Sequence, residues 1–140
     1  MGAAIHTKRW NDPIDPSGDG LRVLVFRYRP RGVSKADQTW DRWLPQLGPS
    51  KELHAAWYGK DRAAPLSWPA YRAEYLRQMR AQTPLIADLA SQIVDGQTIT
   101  LLCSSACVRP NRCHRTLLKA LIEKQIGASR GTTISGGEET

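Results

Sequence analysis

All three cysteines of this 140-residue chain, Cys103, Cys107 and Cys113, fall in one short stretch, with His114 next and Arg109, Arg112 and Arg115 interleaved. Thiols, an imidazole and guanidinium groups so close together can do three kinds of chemistry. A thiolate can attack an electrophile while a histidine carries the proton. Thiolates and imidazole can bind zinc. Arginines beside a helix start can hold an anion, because free amides and the helix dipole favour negative charge there. A fourth reading is structural, since free cysteine is usually buried and inert.

The spacing speaks to each in turn. Cys103-Ser-Ser-Ala-Cys-Val-Arg109 follows the Cys-x5-Arg pattern of phosphatase-like and rhodanese-like loops, after an apolar run. Pro110 interrupts the turn where the helix should begin, and no His directly precedes Cys103. Cys103, Cys107, Cys113 and His114 count to four zinc ligands, but there is no Cys-x2-Cys knuckle. Neighbouring side chains at a helix start are also expected to diverge. The sequence therefore assigns no metal and no cofactor. The anion reading gains from a second loop, Arg27-Tyr-Arg29-Pro-Arg31, whose alternating arginines would point one way on an extended backbone.

The elements that must position these groups are legible from pattern. Residues 4–10 alternate loosely and predict a first strand, and 11–20 is a turn-rich loop. Leu21 to Phe26 is a near-continuous apolar run, as in a strand covered on both faces. A short helix is expected over 36–44, carrying Trp40 and Trp43, with Ser34 as a cap. Ser50 caps a second, with Leu53, Ala56 and Trp57 on one side. Gly59 to Pro65 reads as a polar loop, and Ser67 with Pro69 opens a helix to about Arg80. Thr83-Pro84 opens another, which Gly96 stops. A strand over 97–103 and a helix from about Cys113 to Gln125 close the fold.

Strands separated by helices predict an α/β fold: one small three-layer, Rossmann-like domain over 1–126 with a mainly parallel sheet and helices on both faces. Residues 127–140, rich in Gly, Ser and Thr, read as a flexible tail. If the strands ending near Phe26 and Cys103 are neighbours, both arginine loops share the carboxyl edge of the sheet, where α/β proteins place their sites.

Composition narrows the partners. The net charge is +7, and 14 of the 20 basic residues are Arg, which favours an anionic partner. No segment approaches the roughly 20 apolar residues that span a bilayer, and the first residues lack a signal-peptide pattern. A cytoplasmic protein with reduced thiols and no membrane partner is expected. Trp57, Tyr58 and Trp68 border a polar loop and are candidates for a groove or for self-association.

Several linked motifs resemble the domain of unknown function 488 family, also described as YeaO-like. They are Val23-Leu-Val-Phe-Arg-Tyr-Arg-Pro-Arg-Gly-Val-Ser-Lys35, then Trp43 with Leu47-Gly-Pro-Ser-Lys-Glu-Leu53 and Trp57. Trp68, Tyr71, Glu74 and Leu76 follow, and then Leu101-Leu-Cys103 with Cys113-His-Arg115. The family usually carries Asp where this chain has Phe26, and an aromatic where it has Arg29. The resemblance implies a compact α/β fold and a pocket formed by Arg27, Arg31, Ser34, Cys103, Cys113, His114 and Arg115.

Together these features predict a protein that binds a phosphate-bearing ligand, either a nucleotide or a nucleic acid. Arg27, Arg29, Arg31, Ser34, Arg109, Arg112 and Arg115 would hold the ligand, with the amides before His114 adding donors. The alternative is a thiolate-dependent enzyme using Cys103 or Cys113 with His114. A further one is a non-catalytic protein-interaction domain.

Overall fold

The computed structural model describes residues 3–60 and 64–138, with side chains described up to 128. Strands β1 (Ile5–Arg9), β2 (Leu21–Leu24), β3 (Arg42–Trp43) and β4 (Ile99–Cys103) form a single sheet in the order β1-β4-β2-β3. Every pairing is parallel. β4 is buried at all five residues, as its unbroken apolar run requires of a strand covered on both faces. It sits directly beside β2, with Leu102 opposite Leu24, so the loops leaving Leu24 and Cys103 emerge at the same edge.

The four α-helices are α1 (Lys51–Trp57), α2 (Trp68–Met79), α3 (Thr83–Val94) and α4 (His114–Glu138). The caps are those the sequence announces. Ser50 Oγ accepts the Leu53 amide at 3.1 Å, and Ser67 Oγ accepts that of Ala70 at 3.3 Å. Gly96, at φ 105°, turns the chain after α3 in a conformation that costs a residue with a Cβ.

The main core joins Val23, Ile99 and Leu101 of the sheet and Val25 just beyond β2 to Leu53, Tyr75, Leu89 and Leu118 of the helices. Full burial contributes about 1.5–3 kcal/mol for each large aliphatic side chain. The opposite sheet face, Leu24 and Leu102, packs on Trp40 with Trp10 and Val33 at the margin. The molecule is thus a small three-layer α/β domain whose third layer is thin, built of loop and short 3-10 turns.

Three local expectations are corrected. The helix expected over 36–44 is a 3-10 turn, Lys35–Asp37, followed by β3. Extended backbone wins there because it gives the Leu44 amide to the Leu24 carbonyl and the Asp41 amide to that of Arg22, while burying Trp40. Ser34 caps the 3-10 turn instead of an α-helix. β2 ends at Leu24, two residues before the apolar run does, and α4 continues to Glu138, well beyond Gln125. Of the loop expected over 59–65, residues 61–63 lie outside the described residues. Among the described residues no helix is long and apolar enough to cross a membrane.

Candidate functional site

β4 delivers Cys103 to the carboxyl edge of the sheet. A tight turn, with the Cys107 amide bonded to the Ser104 carbonyl at 3.1 Å, then folds Cys107 back over it. The two sulfurs lie 2.9 Å apart. Cys113 enters on extended backbone, φ −137° and ψ 142°, and α4 begins one residue later. This conformation decides where two neighbours point. Instead of diverging, as expected for adjacent positions at a helix start, Cys113 Sγ and His114 Nδ1 approach to 4.0 Å. Cys103 Sγ lies 3.8 Å from the same nitrogen.

His114 is held from behind. Its Nε2 lies 2.6 Å from the carbonyl oxygen of Val25, which can only accept, so the proton is on Nε2. Burial lowers the imidazole's pKa, opposed in part by that hydrogen bond, and favours the neutral ring. The Nδ1 lone pair therefore faces the thiols. Phe26 stacks on His114 with centroids 6.2 Å apart.

The three thiols are inequivalent. Burial, with the contacts to Cys107 and Cys113, pushes Cys103 well above the ordinary thiol range. Cys113 is pushed up to about 12: its contact with Cys103 acts downward, but its contact with Cys107 and burial outweigh it. Cys107 goes the other way, because Cys103 and Cys113 both act as donors to it. The two thiols that the sequence singles out for attack are thus the buried, poorly ionised ones. Cys107, which that reading leaves out, is the half-buried one. Its place at the lip of the turn depends on the turn's backbone and has no signature in residue type.

The loop of the Cys-x5-Arg motif is not an oxyanion cradle. The Cys107 and Val108 amides are bonded to the Ser104 and Ala106 carbonyls, and Arg109 lies exposed on extended backbone. Arg109 and Arg112 line a hollow of about 220 Å³ with Cys107, Trp57 and Tyr58. Arg115 is buried beneath the turn, its Nη2 donating to the Cys107 carbonyl at 3.1 Å, while Nε and Nη1 have no partner. At the start of α4 the Thr116 amide is already bonded to the Cys113 carbonyl at 3.2 Å.

The other arginines splay because β2 ends before them. Arg27 turns inward to the Pro49 carbonyl at 3.0 Å. Arg29 donates to the Val33 carbonyl at 2.7 Å and lies over the Trp40 ring. Ser34 is spent on Asp37, accepting its amide and donating to its carboxylate. Arg31 makes no such bond among the described residues, and with Arg29 it borders the open space at the strand ends.

That space is a cavity of about 600 Å³ between the two strand ends. Arg31, Lys60 and Ser104 line it beside the rings of Trp10, Tyr28 and His54. His54 stands at the centre of the ring cluster, 5.3 Å from Phe26, 5.4 Å from Tyr28 and 5.0 Å from Tyr58. Burial lowers its pKa, and Lys60 acts in the same direction. Neither His54 nor Lys60 belongs to a motif, and only the docking of α1 against Phe26 brings them in. Of the groove candidates, Trp57 and Tyr58 line the hollow beside Cys107, while Trp57 and Trp68 also pack on Tyr71 at the margin of the core.

A larger hollow of about 770 Å³ opens between α1 and α2. Several of its polar groups are matched to one another: Gln78 bonds Ser50 and Glu74, and Glu74 holds Arg77.

A family model described as the active DUF488-N3 subclade matches residues 5–126. The chain belongs to the DUF488 family. This DUF488 domain is 36% identical over 101 residues to the uncharacterized protein YeaO of Escherichia coli, an alignment covering 72% of this chain and 83% of YeaO. It is 44% identical over 54 residues to the uncharacterized proteins Mb3100c of Mycobacterium bovis and Rv3073c of Mycobacterium tuberculosis. Those alignments cover 39% of this chain and 44% of each mycobacterial protein. No solved structure gives a significant match.

Proposed function

We propose that this DUF488 domain binds a phosphate-bearing ligand, a nucleotide or a nucleic-acid segment, in the cavity between the β2 and β4 ends. The observation that carries this reading is the pairing of two cations with a wall of rings. Arg31 and Lys60 have no ion-pair partner among the described residues, and both line the space that Trp10, Tyr28 and His54 enclose. Base stacking on aromatic rings contributes about 1–3 kcal/mol per base, and guanidinium is the side chain best matched to phosphate oxygens. The hydroxyls of Ser104 and Ser105 add donors from the opposite loop. The ligand-holding set is smaller than the one expected from sequence: Arg27, Ser34 and Arg115 are engaged or buried, Arg29 lines the cavity but donates to the Val33 carbonyl, and Arg109 and Arg112 line the hollow on the Cys107 side. The burial of Cys103 and Cys113 argues against their attacking a substrate.

The test is titration of the protein with inorganic phosphate, adenosine diphosphate and short DNA and RNA oligonucleotides at two salt concentrations, read by tryptophan fluorescence. Binding that weakens with salt and is lost in Arg31→Ala supports the reading. No binding of any of them at low salt overturns it.

A further inference from the structure

The geometry points to a zinc site formed by Cys103, Cys107, Cys113 and His114, tying the end of β4 to the start of α4. Zinc binds thiolate at about 2.3 Å and imidazole at about 2.0–2.1 Å, so the edges of its tetrahedron are about 3.5–3.8 Å. Cys103 Sγ lies 3.8 Å and Cys113 Sγ 4.0 Å from His114 Nδ1, and these three ligand atoms all fall within 4.8 Å of one another. Cys107 Sγ, 2.9 Å from Cys103 Sγ, sits inside the ideal edge. It lies outside that mutual 4.8 Å group and is carried by a short turn at the surface, which has to rearrange for Cys107 to complete the tetrahedron.

Two further features match such a site. The Val25 carbonyl takes the Nε2 proton of His114 and so aims the Nδ1 lone pair at the sulfurs, as the outer partners of zinc-bound histidines do. Three thiolates with one Zn²⁺ carry a net charge of −1, and the Arg115 guanidinium, buried beside them with Nε and Nη1 unpartnered, supplies the balancing charge. Soft sulfur donors select zinc over magnesium or calcium. Four protein ligands leave no position open, so the ion's role is to fix the turn that bears Ser104 and Ser105. This is separate from the phosphate reading: metal content and ligand affinity are independent measurements.

The test uses the full chain purified under reducing conditions from zinc-supplemented culture. One zinc per chain by elemental analysis is expected. After chelation, Co²⁺ titration should give the intense visible bands of a tetrahedral thiolate site, and Zn²⁺ should bleach them. Zinc should also slow alkylation of all three thiols. Arg115→Met, which keeps every ligand, should weaken zinc binding by about 10–100-fold. Substoichiometric zinc together with an octahedral Co²⁺ spectrum would overturn the proposal. So would a Cys103–Cys107 disulfide found in the protein as purified.

Discussion

His114 Nε2 donates to the carbonyl oxygen of Val25 across 2.6 Å, joining the first residue of α4 to the chain just beyond β2. The carbonyl is fully buried with its residue, so its only relief from desolvation is this bond. His114→Ala removes the donor and opens a void beside Tyr75 and Phe26. A loss of about 3 kcal/mol is expected from the urea unfolding midpoint, the sum of an orphaned acceptor and a cavity.

A second buried knot sits at the opposite end of the sheet. Asp19 accepts from Lys8 at 2.7 Å and pairs with Arg22, both Asp19 and Arg22 being almost wholly buried. Burial raises the carboxyl's pKa, but the bonds from Lys8, the Asp15 amide and Arg22 together win and the net shift is downward. A carboxyl depressed in the folded state stabilises above its unfolded value, about 3.9, and that stability is lost as pH falls through the folded value. The urea midpoint should therefore drop on acidification below about pH 4. Asp19→Asn should cost about 3–5 kcal/mol at neutral pH, because it strands Arg22, and should flatten that acid limb.

Gly48 is needed for space rather than for backbone freedom. Its φ is −82°, open to any residue, but a Cβ there would lie 2.5 Å from the Arg27 nitrogen and 2.9 Å from the Phe26 carbonyl carbon. Both obstacles are backbone and cannot rotate away. Gly48→Ala should lower stability by about 1–3 kcal/mol, read as a drop in Tm. It should also weaken ligand binding, because Phe26 and Arg27 lead directly into the cavity turn.

Arg31→Ala removes the one arginine of its loop that is not spent internally. Loss of a charge-assisted phosphate contact is worth about 1.5–3 kcal/mol, roughly a tenfold to hundredfold rise in Kd. For a nucleic-acid ligand the slope of log K against log salt should also shrink by about one phosphate's worth. Stability should stay within about 0.5 kcal/mol of the parent, because the guanidinium is an unpaired surface group. A variant that loses affinity only by unfolding would contradict this.

Most of the framework could be read from residue types. Ser50, Ser67, Pro69 and Gly96 mark helix ends through chemistry that acts over one turn, and the apolar runs at 21–26 and 99–103 mark buried strands. β3 escaped because its two residues owe their conformation to β2, not to their own preference. Within the site, the meeting of the two loops was foreseeable from parallel neighbours, but the fate of each arginine was not. Whether Arg27 finds Pro49 or Arg29 finds Val33 depends on where β2 stops. Cys113 and His114 converge, against the divergence expected at a helix start, because Cys113 is still extended and α4 begins only at His114. His54 and Lys60 come from outside any motif and are visible only once α1 is docked.

The placement of β4 has a consequence for biosynthesis. Among the described residues it is the last strand to leave the ribosome, yet it lies between the first two and is the one strand β1 pairs with. Until Ile99 is made, Ile5 and Leu21 lack the partner they will share. A nascent chain stalled before that point exposes two unpaired strand edges, which invite pairing with other chains. The sheet therefore cannot close until β4 is available, and prematurely terminated products of this gene that lack β4 should accumulate as insoluble material.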